Sequence, residues 1–199
     1  MGRPLGDRLR GLSLPVRTRR LELVAPRVGH VRALVDLLRD PSIARWTSNI
    51  PHPYAPADAR SHILRSRATR RSGAGLSLYI VRRADGRLVG GVGLHQLDER
   101  HASAEIGYWV GRPYRRRGYG EEATRALANV AFRRLGLHRV EARVFLGNAA
   151  SVGLLRRCGF RYEGRIRDEL RRRGVWRTTL RFSRLATDPV RPRRTSTAA

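Results

Sequence analysis

The sequence of 199 residues contains no lysine and only one cysteine, and its six histidines show no H-x3-H spacing. One cysteine excludes an internal disulfide framework and any zinc site built from several cysteines. Without paired cysteines or closely spaced histidines, we expect no metal site. The scarcity of cysteine also suits a reducing compartment.

Long hydrophobic runs are absent as well. The sequence has no stretch of about 18 apolar residues, which excludes a membrane-spanning helix. Its start, MGRPLGDRLRGLSLPVRTRR, is charged and lacks the apolar segment of about 7–15 residues that a secretory signal requires. We therefore expect a cytoplasmic protein with no membrane partner.

Acidic residues are scarce relative to basic ones. Only 16 Asp and Glu stand against 42 basic residues, all of them arginine, which gives a formal net charge of +26. A charge this large is typical of proteins that contact polyanions, so RNA or a ribonucleoprotein is one interpretation. A solubility device or drift in composition is the other, and the sequence leaves both open.

Hydrophobic patterning predicts alternating strands and helices in one domain over residues 16–186. This order predicts a mixed sheet with helices on both faces. We expect residues 1–15 to form a flexible basic extension and residues 187–199 a disordered basic tail. The predicted elements lie at 17–24, 30–40, 53–71, 77–97 (a hairpin), 103–110, 121–136, 138–145, 148–159, 160–170 and 175–185.

The stretch RPYRRRGYG, residues 112–120, precedes the longest predicted helix. The first amides of a helix are unpaired and carry partial positive charge, and glycine lets an anion approach the backbone closely. Together with the arginines, this predicts a pyrophosphate site. The GK[ST] element of a P-loop is missing, and no GxGxxG follows the first strand. A surface turn with solvated arginines remains the alternative.

Four motifs occur in a specific order: EIGYWV at 105–110, RPYRRRGYG at 112–120, NAAS at 148–151 and GF at 159–160. This combination resembles the GNAT superfamily of N-acetyltransferases, and in particular its ribosomal-protein N-terminal acetyltransferase branch. The resemblance implies an α/β fold with a mixed, mostly antiparallel seven-stranded sheet, flanked by about four helices. It also implies a split between the fourth and fifth strands, here 104–110 and 139–145, and acetyl-CoA as co-substrate without a metal.

The resemblance further implies which residues hold the coenzyme. Backbone amides of residues 116–120 would bind the pyrophosphate, and the main chain of Trp109 and Val110 would pair with the pantetheine arm and the thioester oxygen. The implied coenzyme-binding residues are Trp109, Val110, Arg115, Arg116, Arg117, Gly118, Tyr119, Gly120 and Asn148.

Two side chains are candidates for catalysis. An α-amino group, with a pKa of about 8, is roughly one tenth neutral at pH 7, so a carboxylate acting through water suffices as general base. By the resemblance Glu105 would be that base, and Ser151 would protonate the departing sulfur, because Leu155 stands where many relatives carry a tyrosine. A structural role remains open for each: an arginine-paired carboxylate and a first-turn serine.

The acceptor amine is open between several classes. The resemblance places an acceptor pocket near Trp46 and Tyr54, although packing of a proline-rich loop would also explain both aromatics. A protein N-terminus, such as that of a ribosomal protein, is the first hypothesis, and a small-molecule amine is the second. The third is an RNA- or ribosome-binding protein with weak or no catalysis. Many relatives dimerise, so a homodimer is a possible assembly, and the sequence leaves the oligomeric state open.

Overall fold

The computed structural model describes residues 3–189, which form one eight-stranded sheet with helices on both faces. Residues 190–199 of the predicted basic tail lie outside this range. The strands are β1 (Val16–Arg17), β2 (Leu21–Val24), β3 (Leu76–Arg82), β4 (Leu88–Asp98), β5 (Ser103–Val110), β6 (Arg139–Phe145), β7 (Arg161–Arg172) and β8 (Val175–Leu185). The helices are α1 (Leu5–Arg10), α2 (Val31–Leu38), α3 (Pro41–Arg45), α4 (Pro56–Ser72), α5 (Tyr119–Arg133) and α6 (Ala149–Arg157), with 3-10 turns at Val28–His30 and Arg112–Tyr114. Within the described range, no helix is both long and apolar enough to cross a bilayer.

The strand order is β1-β2-β3-β4-β5-β6-β8-β7, and neighbouring strands are antiparallel except for β5 and β6. These two pair in parallel over only three positions, from Ser103 opposite Arg139 to Glu105 opposite Glu141. Beyond Glu105 they diverge, which confirms the predicted split. The sheet has eight strands instead of seven because Val16–Arg17 pairs with β2; two residues are too few to leave an alternating pattern in the sequence.

The hydrophobic core lies on both faces of the sheet. On one face, α5 buries the side chains that its helical spacing predicts, including Ala123, Leu127 and Ala131. On the other, α2 and α4 bury Leu34 and Ile63. The two layers fix α5 and the sheet relative to each other, and the candidate site lies where α5 begins.

The N-terminal segment differs from the prediction. Residues 5–10 form α1 instead of a flexible extension, and Leu5, Leu9 and Leu12 are buried in the main core. The Leu5 amide also donates a hydrogen bond to Glu99 Oε1 at 2.8 Å. The three leucines share one helix face by their spacing, a signal that the surrounding arginines, glycines and prolines obscure.

If α1 is part of the core, Leu9→Ala should lower the free energy of unfolding by about 2–5 kcal/mol, because Leu9 is fully buried. Urea denaturation of the purified protein measures this. Leu64→Ala is the matched control, since Leu64 is 62% exposed, and it should change stability by about 0.5 kcal/mol at most. Equal stability of the two variants would show that α1 does not contribute to the folded core.

Candidate active site

The turn between β5 and α5 has the shape predicted for an anion site. Arg116 and Gly118 have positive φ angles of 60° and 75°, and α5 begins directly afterwards at Tyr119. No side chain caps this helix, so its first amides are left for another partner. Gly118 is exposed, and an anion can therefore reach these amides.

The three arginines of the turn have different positions. Arg115 Nε donates to the carbonyl oxygen of Val110 at 3.1 Å, so this side chain closes the turn onto β5. Arg116 and Arg117 are exposed, and their guanidinium groups are accessible to phosphate. The Arg117 carbonyl accepts a hydrogen bond from Arg20 Nη1 at 3.0 Å, which fixes the backbone of the turn.

Two further residues of this segment, Tyr119 and Gly120, are buried and do not offer a side chain to a ligand. A Cβ on Gly120 would lie 3.0 Å from Leu154 Cδ1 and 3.1 Å from Val110 Cγ2. This glycine therefore allows α5 to pack closely against α6 and β5. The Tyr119 ring is buried, with the Arg20 guanidinium 4.9 Å from its centroid.

Glu122, which the sequence analysis did not single out, anchors the start of α5. Its carboxylate accepts hydrogen bonds from Thr18 Oγ1 at 2.7 Å, from the Arg20 amide at 2.9 Å and from Arg20 Nε at 2.7 Å. Burial alone would raise the pKa of Glu122, but these bonds hold it below its ordinary value. They tie the start of α5 to the loop between β1 and β2.

The edge of β5 that faces β6 is free beyond Glu105, because the described residues contain no strand paired there. Trp109 and Val110 lie on this segment and pair on their other side with Gly91 and Gly90 of β4. A Cβ on Gly91 would lie 2.5 Å from Trp109 Nε1, so the indole occupies the space above that glycine. Trp109 and Val110 therefore lie on the part of β5 that is not paired with β6.

Glu105 lies at the point where the two strands diverge. Its side chain is 16% exposed, and its Oε2 is 2.6 Å from Arg143 Nε. Burial raises the pKa of Glu105, and the adjacent arginine only partly opposes this. Arg143, which the sequence analysis missed, also lies 3.9 Å from Glu169 of β7. The predicted base is thus a largely buried carboxylate held by an arginine.

Ser151 and Asn148 meet at the start of α6. Asn148 Oδ1 caps the helix by accepting a hydrogen bond from the Ser151 amide at 3.2 Å. Ser151 Oγ lies 2.7 Å from the Tyr108 hydroxyl, and burial raises the pKa of Tyr108. Leu155 is fully buried, so the hydroxyl beside Ser151 comes from β5 and not from α6. Alternation in EIGYWV puts Tyr108 on the face opposite Glu105, and no local pattern indicates that it contacts Ser151, 43 residues later in the chain.

A cavity of about 380 Å³ lies between α3 and the β7–β8 hairpin, and Trp46 is among the residues that line it. Trp176 lines it too, on a strand that the sequence analysis did not connect to the site. Tyr54 does not line this cavity: it is buried with Leu34 and Ile63 in the second core cluster, where hydrophobic packing holds it. Arg172 bridges the hairpin to α3 and to the loop after it by donating to the carbonyls of Ala44 and Ile50, at 2.9 and 2.7 Å.

Comparison with known proteins assigns the family. The model of the acetyltransferase (GNAT) domain family matches residues 20–161. The chain belongs to the GNAT acetyltransferase family. The "Uncharacterized N-acetyltransferase p20" of Bacillus licheniformis is 28% identical over 157 residues, 79% of this chain and 88% of that protein.

Two further relatives bear on the GNAT assignment. The "Putative ribosomal N-acetyltransferase YdaF" of Bacillus subtilis (strain 168) is 38% identical over 101 residues, 51% of this chain. Matches to YdaF and to its B. subtilis relative YoaA span about half of those proteins, 55% and 57%. Among solved GNAT structures, Mycobacterium smegmatis RimJ in complex with CoA-disulfide superposes with a TM-score of 0.77 at 26% identity, over 86% of this chain and 84% of RimJ.

For this GNAT protein we expect Gly118→Ala to weaken acetyl-CoA binding about tenfold, which corresponds to the loss of about one charge-assisted hydrogen bond. An added Cβ would stand beside the amides of the turn and would also strain the positive φ. Isothermal titration calorimetry with acetyl-CoA measures the effect.

Gly86→Ala is the matched control, because Gly86 also has a positive φ (67°) and lies in the β3–β4 turn with open space around it. Both variants should lose about 1–2 kcal/mol of stability through strain, but only Gly118→Ala should bind the coenzyme weakly. If the two variants bind acetyl-CoA with equal affinity, the turn at Gly118 is not part of the coenzyme site.

Proposed function

We propose that this protein transfers an acetyl group from acetyl-CoA to a primary amine, and that the amine is the N-terminal α-amino group of a protein. The observation that carries this is the divergence of β5 and β6 directly after Glu105. A free strand edge, an uncapped helix start and a largely buried carboxylate support the proposal. Membership of the GNAT family supports the reaction type.

Each part of the cleft has a role in the proposed reaction. The coenzyme supplies the acetyl group as an activated thioester. Amides of residues 116–120 hold its pyrophosphate, and the free edge of β5 from Ile106 to Val110 pairs with its pantetheine arm. These contacts align the donor with the amine, and such alignment provides a large part of the rate in group transfer.

Glu105 and Ser151 then handle protons. Glu105 accepts the proton that the amine loses, directly or through one water. Its raised pKa brings its basicity closer to that of the amine. Ser151, oriented by Tyr108, donates a hydrogen bond to the departing sulfur. Neither role requires a metal.

The names of relatives support a protein N-terminus as acceptor. YdaF is named as a ribosomal N-acetyltransferase. A structure of a ribosomal-protein-serine acetyltransferase, named as such only provisionally, from Vibrio cholerae superposes with a TM-score of 0.78 at 26% identity, over 87% of this chain and 98% of that one. A small-molecule acceptor is the second candidate. It is favoured by the L-methionine sulfoximine/L-methionine sulfone acetyltransferase of Pseudomonas aeruginosa, 37% identical over 89 residues, 45% of this chain and 51% of that protein.

Contact with RNA remains part of the proposal, through exposed arginines of the β7–β8 hairpin such as Arg167 and Arg171. Such binding would weaken steeply with salt, because it releases counterions from phosphates. It would place a basic enzyme on a ribosome despite repulsion from basic ribosomal proteins. RNA binding without any thiol release would instead favour a binding protein that has lost catalysis.

The function is tested by thiol release from acetyl-CoA in the presence of serine- and alanine-initiated peptides or of small amines. We expect turnover with peptides and a mass increase of one acetyl group at the N-terminal residue in tandem mass spectrometry. Faster turnover of small amines would assign the second candidate, and no turnover with either class would contradict the proposed reaction.

Glu105→Gln should lower kcat by about 10²–10⁴-fold at neutral pH, the usual contribution of a general base. Wild-type log kcat/KM should fall with slope two below the raised pKa of Glu105, because both the carboxylate and the amine become protonated. In Glu105→Gln the slope should be one, since only the amine titrates. A pH–rate profile on a peptide acceptor measures both.

Glu163→Gln is the control, because Glu163 also pairs with an arginine, Arg139, but lies outside the cleft on β7. It should retain the wild-type rate and slope. If Glu105→Gln behaves like Glu163→Gln, the base is not Glu105.

A further inference from the structure

The cavity between Trp46 and Trp176 is lined by charges of both signs. Arg45 of α3 and Arg177 of β8 contribute guanidinium groups, and Asp168 of β7 contributes a carboxylate. Across residues 3–189, none of these three side chains takes part in an ion pair, although they share one cavity. The next residue in the chain, Glu169, by contrast pairs with an arginine. All three side chains are exposed, so their charged groups are accessible to a ligand at this cavity.

A local irregularity of β7 places Asp168 there. The pairing register of β7 with β8 shifts between Ile166 and Leu170, and Asp168 has a positive φ of 47°. Its amide donates to Thr178 Oγ1 at 3.5 Å, which holds the irregular backbone. Bulges of this kind redirect side chains beside active sites, and aspartate is among the residues that tolerate positive φ.

We infer that this cavity binds an acceptor that carries a carboxylate close to its reactive amine, an inference that rests on the proposed function. Asp168 attracts the ammonium form of the amine, and Arg45 and Arg177 bind the carboxylate, since guanidinium groups suit carboxylates geometrically. In a protein acceptor, this chemistry is an N-terminal residue followed by Asp or Glu. In a small acceptor, it is an amino acid.

The cavity is also linked to the predicted base. Glu169, adjacent to Asp168, lies 3.9 Å from Arg143, and Arg143 pairs with Glu105 at 2.6 Å. One arginine thus connects the β7 segment that lines the cavity with the cleft where the strands diverge.

The surrounding charge favours the same acceptors. With a formal net charge of +26, the protein attracts acidic ligands and repels basic ones. The net charge attracts every acidic ligand. The two arginines of the cavity attract only a ligand whose carboxylate lies close to them. Variants that remove one arginine inside or outside the cavity separate these two effects.

The test compares peptides that begin Ser-Glu-Glu, Ser-Gln-Gln and Ser-Lys-Lys and are otherwise identical, at 150 mM salt. We expect kcat/KM to be about tenfold higher for the glutamate peptide than for the glutamine peptide, in line with one partly exposed charge-assisted hydrogen bond. The lysine peptide should be the poorest acceptor. Quenching of tryptophan fluorescence, with Trp46 and Trp176 in the cavity walls, gives peptide affinities without turnover.

Arg177→Gln should reduce the preference for glutamate to about twofold or less. Arg165→Gln removes the same charge from an exposed position of β7 outside the cavity, and should keep the tenfold preference. Free glutamate, tested as a fourth acceptor, distinguishes a small acceptor from a protein N-terminus. Acetylation of free glutamate would indicate a small acceptor. If the glutamate peptide is acetylated and free glutamate is not, the acceptor is a protein N-terminus. Either result supports the inference, provided that Arg177→Gln reduces the preference for glutamate.

Equal use of the glutamate and glutamine peptides, or a preference for lysine, would overturn the inference. So would equal effects of Arg177→Gln and Arg165→Gln, because net charge alone would then explain the preference. If no peptide is acetylated, the proposed function fails, but fluorescence still decides whether the cavity selects a carboxylate through Arg177.

Discussion

Three parallel residue pairs join β5 to β6, and the site depends on this pairing ending at Glu105. A fourth and fifth pair would close the sheet and use the backbone groups of β5 that now face the cleft. The divergence also gives Glu105 its surroundings, because the carboxylate lies at the last paired position beside Arg143 of the partner strand. One interruption in strand pairing therefore creates both a groove for an extended ligand and a buried carboxylate at its end.

Arginine side chains connect separate segments of this lysine-free chain. Arg20 joins Glu122 and the turn before α5, Arg115 closes that turn, and Arg143 holds Glu105. The planar guanidinium group donates in several directions at once, which suits such bridging positions better than an ammonium group does. The abundance of arginine thus has a role in positioning the site as well as in the overall charge.

Much of the fold could be predicted from periodicity and motifs. The apolar spacing of α5 and the alternation of EIGYWV identified the helix and strand that border the cleft, and the family model confirms the resemblance. Helix α1 was missed because its two core leucines, Leu5 and Leu9, are separated by glycine and charged residues and flanked by glycine and proline. Arg143 and Trp176 were missed because they reach the site through strand register and the position of a hairpin, neither of which a local pattern specifies. The position of Tyr54 was missed for a similar reason, since a proline-rich loop does not show which side an aromatic ring faces.

The hydrogen bonds from Arg172 to the carbonyls of Ala44 and Ile50 have a consequence for how ligands enter. They join the two walls of the cavity on one side, so the hairpin and the loop after α3 cannot separate there without breaking both bonds. The spacing between the hairpin and this part of the chain is therefore fixed on that side, and a ligand must fit the space that the fold already provides.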